Sequence, residues 1–213
     1  MQLKLTPATS ILVAINVFVA ICLLWPGSEE QILPAGGLIP ARFWGSDTDL
    51  AGAATTLPAF LTPFTAPFIN SDIFSMLISG LMLLLMGSMN EKILGWRGVL
   101  ALFFGGALAS AIVLVLFLPG SLIAFAGSFD AISAVIAAYL LLYPVGKPMP
   151  WGPLTADQAR PLQLLLLWFV LNLAMGFSLS YEALIANVAA PVAGFTAGLL
   201  LARPLLLWKY RHA

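Results

Sequence analysis

GSFDAISAVIAAYLLLYP, residues 127–144, is the stretch whose reading decides the fold. It is almost wholly apolar, closed by Pro144, and short: an apolar helix of about sixteen residues falls below the roughly 20 that usually cross a 30 Å hydrocarbon core. Such a helix is best buried among longer neighbours, so the other apolar runs of the chain are read as spans placed around it. Its first turn carries Ser128 and Asp130. Two readings apply: an N-terminal cap satisfying free backbone N–H groups and the helix dipole, or a functional feature, because an ionisable residue at the mouth of a membrane helix is expensive unless used.

Composition sets the class. With 61% hydrophobic and 8% charged residues in 213, and a mean hydropathy of +1.02, the chain lies far outside the soluble globular range and reads as a multi-span membrane protein. Cys22 is the lone cysteine and lies inside the first apolar run, which excludes a disulfide and a thiolate metal cluster. The formal charge is zero and no basic block is long enough for nucleic acid. Only Lys4 precedes the first run, and Pro26-Gly27-Ser28 is no small-x-small cleavage site, so that run is expected to be a retained span.

Outward from the central stretch, six spans are expected, at about residues 11–25, 72–89, 98–118, 127–144, 162–179 and 184–202, the last running on toward Trp208. They form one all-α membrane domain, residues 1–213. Residues 26–70, rich in Pro, Gly and acids, cannot cross a bilayer and should lie outside it or along its surface. Within them GLIPARFWG, with Arg42, Phe43 and Trp44, suits a membrane-interface loop. A tight polar turn, Asn90-Glu91-Lys92 with Gly95-Trp96-Arg97, joins the second span to the third, and a polar stretch covers residues 145–160. Gly105, Gly106, Ala107, Ala109, Ser110 and Ala111 let helix backbones approach closely. Asn16, Asn172 and Asn187 are expected to bond across helices, and Trp25, Trp44, Trp96, Trp151, Trp168 and Trp208 to anchor span ends at the interface.

Lys and Arg set the orientation. With a cytoplasmic N-terminus, Lys4, Lys92, Arg97, Lys147, Arg160, Arg203, Lys209 and Arg211 lie inside and only Arg42 lies outside. Both termini are then cytoplasmic, in a bacterial inner membrane. Glu29, Glu30, Asp47, Asp49, Asp72, Glu182 and the Ser128/Asp130 end of the fourth span face outward, where Asp130 should find water or Asn70, Ser75 or Asn187. No carboxylate pair or His cluster sits at ligand spacing, so no metal and no cofactor is expected.

Residues 37–202 resemble the rhomboid family of intramembrane serine proteases. GLIPAR, then LTPFTAPFINSD, then a helix ending Gly87-x-x-x-Glu91-x-x-x-Gly95 is similar to the family's outer loop and second span. The fourth span resembles the family's G-x-S-G-A-I helix through Gly127, Ala131 and Ile132, and the sixth its A-H-x-x-G-x-x-x-G-L pattern through Ala190, Gly194, Gly198 and Leu199. The resemblance implies a six-helix bundle in which Phe129 holds the nucleophile position, Asp130 that of the following glycine, and Pro191 that of the general base. It puts Asn70 and Ser75 at two His positions and Ser79 at the oxyanion Asn position. Scaffold residues Gly87, Glu91, Gly95, Gly194 and Gly198 are kept while the catalytic side chains are replaced.

Elementary chemistry agrees. A serine hydroxyl needs a base within hydrogen-bond reach, and the only histidine, His212, lies beyond the sixth span on the opposite side from Ser128. Three functions remain: a pseudoprotease that binds transmembrane helices of client proteins without cleaving them; an active rhomboid-type endopeptidase with a rearranged site using Ser128; and a structural or small transport protein. Against transport stand the lack of buried paired charges and of half-length repeats.

Overall fold

The computed structural model describes residues 6–45, 57–70, 72–143, 155–176 and 180–211. Lys4, Asp47, Asp49, Pro144, Lys147, Trp151 and His212, used above, lie outside the described residues. Among those described, helices dominate, and the one β-like feature is an isolated bridge between Leu38 and Phe125.

Helix α1 covers Pro7–Leu23. Next come α2, Glu29–Gly36, a 3₁₀ turn over Pro40–Trp44, and α3, Thr62–Thr65. Ile73–Met82 is α4, which passes through a π-helical turn, Leu83–Gly87, into α5, Ser88–Phe117. Then follow α6, Phe129–Leu142, α7, Ala156–Gly176, and α8, Tyr181–Leu184, which passes through a second π turn, Ile185–Ala189, into α9, Ala190–Lys209. Two continuous stretches, Ile73–Phe117 and Tyr181–Lys209, are long and apolar enough to cross a bilayer; Pro7–Leu23, Phe129–Leu142 and Ala159–Ala174 are shorter apolar helices.

The polar turn expected over residues 90–97 is mostly helix. Asn90, Glu91 and Lys92 continue the helical rise, and only Gly95 leaves it, at φ 76° and ψ 174°. A left-handed φ is costly for any residue with a Cβ and nearly free for glycine, so one glycine does what the sequence reading gave to a loop. It divides the stretch into two rods, residues 73–94 and 96–117, each about 33 Å long at 1.5 Å per residue. The rods fold back on each other, because Ser75 and Ser79 from the start of the first line the same cavity as Ala107 and Ser110 from the far part of the second.

Helix α6 is the hub. Ala131, Ile132, Ser133, Ala134, Val135, Ile136, Ala137 and Ala138 are all buried, as a helix too short to span alone requires. α5 and α9 press on it through small residues: a Cβ added at Gly198 would lie 2.2 Å from the Ala134 carbonyl oxygen, and one at Gly194 2.4 Å from that of Asp130. In lipid, association rests on such van der Waals contact because tails are as apolar as leucine. Phe103, Phe195, Leu102, Ile132, Val99 and Val135 fill the space between the three helices.

Two further expectations are corrected. GLIPARFWG does not simply lie on a surface: Leu38, Ile39, Pro40 and Ala41 are buried, and Leu38 exchanges two 2.8 Å backbone bonds with Phe125. Backbone that cannot be helical there finds its partners in another loop. Arg42 donates to the Leu57 carbonyl and does not snorkel freely. The polar stretch over residues 145–160 yields at its end to α7, which begins at Ala156 and holds Pro161 past its first turn, where the missing N–H removes one bond of the helix.

Two polar ties hold the Gly95 end. Glu91, buried, accepts from the backbone N–H groups of Ala8 at 3.0 Å and Thr9 at 2.9 Å and from the Thr9 hydroxyl at 2.7 Å. It thus caps the N-terminus of α1 from another helix, replacing the local cap that Thr6 does not make. Gly87, one turn earlier, brings the rod against the same threonine: a Cβ there would lie 3.0 Å from Thr9 Cγ2. Lys209 Nζ donates to the Ile93 carbonyl at 2.7 Å, satisfying an oxygen freed by the break at Gly95.

Candidate functional site

At the other end of the rods lies a cavity of about 530 Å3 whose lining includes Asn70, Ser75, Ser79, Ser128, Phe129 and Asp130. Asn172, Asn187 and Pro191 complete its polar and α9-side wall. The structure therefore gathers into one hollow the residues that the resemblance sets at the nucleophile, base, oxyanion and two His positions, although they are separated by up to 121 positions in the chain.

Its floor is a three-residue polar junction. Asn70 donates through Nδ2 to Asn16 Oδ1 at 3.0 Å. Ser128 Oγ lies 2.8 Å from Asn70 Oδ1 and 3.0 Å from Asn16 Oδ1, so its single proton serves one or the other, and the Ser128 backbone N–H donates to Asn70 Oδ1 at 3.2 Å. All three residues are buried. Buried polar groups such as these need partners, and here they bond one another. Asn16 bonds across helices as its isolated polarity in an apolar run suggested. The cap reading of Ser128 does not hold: its hydroxyl makes no cap bond to α6 and turns to α1 and to the loop ahead of α4.

Asp130 lines the cavity beside Asn70, Ser75 and Asn187, the company expected for it, and forms no hydrogen bond or ion pair with any described residue. It sits in the first turn of α6, where a negative charge is favoured by the helix dipole. Ser75 is engaged by the Asp72 carboxylate, which caps α4 by accepting its N–H at 2.7 Å. Asn172 and Asn187 were expected to bond across helices, and neither does so with any described residue. Asn172 Nδ2 donates to the Trp168 carbonyl one turn back in its own helix at 2.8 Å; Asn187, on the π turn, is exposed at the cavity rim. Both face the hollow, which removes the pressure to find a neighbouring helix.

Phe129 and Pro191 are tied together through a residue that sequence reading placed elsewhere. Trp168 of α7 stacks on Phe129, with ring centroids 5.7 Å apart and planes at 21°, and on Phe195 at 5.0 Å and 15°. Its indole N–H donates to the Pro191 carbonyl at 3.3 Å. Trp168 is thus a clasp joining α7 to α6 and α9, not an interfacial anchor like the exposed Trp25, Trp44, Trp96 and Trp208. One signal existed: Trp168 lies in the middle of its apolar run, where an anchor has no headgroup to meet. Ser110, read only as a small residue, was also missed. Its hydroxyl donates to the Ala190 carbonyl at 2.7 Å, beside Pro191, which has no N–H and is preceded by the widened π turn.

Chemically, the hollow offers hydroxyls, amides and two carboxylates, Asp72 and Asp130. No His, Lys or Arg is among its lining residues. The Ser128 hydroxyl has only amide oxygens as near acceptors, and these lack the basicity to take its proton. α4 and α7, which supply Ser75, Ser79 and Asn172 to the cavity lining, also carry exposed apolar residues, among them Phe74, Leu77 and Leu81 on the first and Leu167, Val170 and Leu171 on the second.

A family model described as "Rhomboid domain" matches residues 58–207. The match takes in α3 to α8, most of α9 and every lining residue of the cavity except Leu38, and leaves out α1 and α2. No curated protein matches the chain.

Proposed function

Because the chain belongs to the rhomboid family, and is therefore an integral membrane protein of a family that acts within the bilayer on membrane helices, we propose that it is a pseudoprotease that holds client transmembrane helices without cutting them. The observation that carries this reading is the pair Phe129 and Pro191. At the positions that the resemblance gives to nucleophile and base stand a phenyl ring and a pyrrolidine ring whose nitrogen is a tertiary amide, and both residues are engaged by Trp168. Neither can attack a carbonyl or take up a proton.

Ser128 does not replace them. It is buried, its hydroxyl is consumed in the Asn16–Asn70 junction, and neither carboxylate of the cavity, Asp72 or Asp130, is hydrogen-bonded to it. What the cavity retains is a polar hollow lined by residues of α4 and α7, both of which also carry exposed apolar side chains, features suited to a helix whose backbone is partly unwound and needs hydrogen-bond partners inside the bilayer. The topology that goes with this function has six spans, the second and third made by the hairpin at Gly95, with both termini cytoplasmic in a bacterial inner membrane; the Lys and Arg distribution supports it.

The test has two arms. The purified protein in bilayers, incubated with a single-span rhomboid substrate, should release no fragment and should not react with a fluorophosphonate probe. In-cell crosslinking from a photoreactive residue at position 78 of α4 should capture single-span partners. Cleavage that disappears in Ser128→Ala would overturn the proposal in favour of an active protease with a rearranged site. Absence of both cleavage and capture would overturn it in favour of a structural role.

A further inference from the structure

At the end of the rods away from the cavity, Arg97, Lys209 and Arg211 line an open cleft of about 480 Å3 together with Trp96 and Trp208. No carboxylate is among its lining residues. Glu91, the acidic residue nearest in sequence, is buried and turned to the N-terminus of α1. Arg97 lies over the Trp96 ring with its guanidinium carbon 5.0 Å from the centroid, a contact that steadies the planar fork and leaves its edge N–H groups free. Lys209 spends protons on the Ile93 carbonyl at 2.7 Å and, more weakly, on that of Lys92 at 3.4 Å; an ammonium has three, so a donor and the full charge remain. Arg211 is exposed and forms no bond with any described residue.

The two tryptophans set the depth. Trp96 and Trp208 are each more than half exposed, at 52% and 55%, and exposed indoles at the ends of apolar helices settle at headgroup level. Three cations at that level, in a concave site with no acid among its described lining residues, attract an anion that is itself held in the membrane surface. Arginine's fork matches the paired oxygens of a phosphodiester. We propose that this cleft binds the phosphate of an anionic phospholipid in the leaflet at the Gly95 end of the bundle. The site is independent of the cavity and of whatever the cavity holds.

The experiment uses the full-length protein, stripped of lipid in a neutral detergent, with bound lipid counted by native mass spectrometry. Phosphatidylglycerol should bind roughly tenfold more tightly than phosphatidylcholine of the same chains, as expected for a few cations acting at a membrane surface. Arg97→Gln with Arg211→Gln should bring the two lipids to parity, whereas Arg97→Lys with Arg211→Lys should keep most of the preference. Lys209 is left intact because it also braces the helix end. Equal binding of the two lipids by the wild type would overturn the proposal, as would a preference that survives in the double glutamine variant. Inorganic phosphate at lipid-equivalent concentration should fail to displace phosphatidylglycerol; displacement would reassign the cleft to free phosphate and overturn the lipid assignment. Should the glutamine variant not fold, the wild type decides alone: its preference must fall several-fold between low and high salt, and a salt-independent preference refutes a charge-based site.

Discussion

Glu91 is the most exposed point of the fold to a single substitution, in the energetic sense. Its carboxylate receives three hydrogen bonds from the first turn of α1, at 3.0, 2.9 and 2.7 Å, in a buried setting. Glu91→Ala leaves two helix N-terminal N–H groups and a hydroxyl without their acceptor. An unsatisfied buried donor costs about 1–3 kcal/mol, and α1 can recover part of this by admitting water at its first turn, so a loss of about 3–5 kcal/mol is expected. Glu91→Gln keeps one acceptor oxygen but presents an amide N–H₂ to donors, and loses the charge that favours a helix N-terminus; about 1.5–2.5 kcal/mol is expected. The ordering is the sharper claim: wild type, then Gln, then Ala. Equilibrium unfolding in mixed micelles by added SDS, followed by tryptophan fluorescence, reads these differences. Thr9→Val tests the partner. It removes one of the three bonds, so its cost in the Glu91→Ala background should be far smaller than in the wild type, as expected for groups acting as one unit. Additive losses, or a Glu91→Ala cost below about 1 kcal/mol, would refute the cross-helix cap.

The remaining predictions address packing, the clasp, topology and chemistry. Gly198→Ala must displace the α6 backbone, since its Cβ would lie 2.2 Å from the Ala134 oxygen; about 3 kcal/mol of destabilisation is expected, and a neutral result in the same SDS titration would contradict the close approach. Trp168→Phe should cost about 1 kcal/mol by losing the bond to the Pro191 carbonyl, and Trp168→Ala about 3 kcal/mol by removing both stacked contacts. Hydrogen exchange in α7 should quicken in that order and stay slow elsewhere; unchanged exchange in Trp168→Ala would remove the clasp. Reporter fusions after Lys147 and after Asp49 should report opposite sides of the membrane, and finding both on one side would sink the six-span arrangement. Phe129→Ser should remain without proteolytic activity because Pro191 supplies no base, even though it opens the hollow; cleavage of a single-span substrate by Phe129→Ser would show that a base exists.

Much of the fold was legible before any coordinates because it rests on local properties. Apolar runs long enough for a bilayer are a matter of composition, and a run too short for one implied that α6 sits at the centre. Gly87, Glu91, Gly194 and Gly198 stand at positions that the family resemblance marks as scaffold, and each lies where elements meet. A polar junction was half visible too: Asn16, alone in its run, had to find a partner.

Tertiary structure alone decided what that partner was. Asn16, Asn70 and Ser128 are 54 and 58 positions apart in turn, and a hydrogen bond across such separations depends on how two helices and a loop dock, which no local pattern encodes. The same holds for Trp168, whose ring would suit an interface equally well until α7 is laid against Phe129 and Phe195. Sequence placed a turn somewhere in residues 90–97; the backbone put all of it at Gly95, because Asn90 reaches the Val135 carbonyl at 2.8 Å and Glu91 reaches α1 only while they remain helical. Periodicity and composition report what each segment prefers by itself. Which side chain meets which is settled only when the segments compete for the same space.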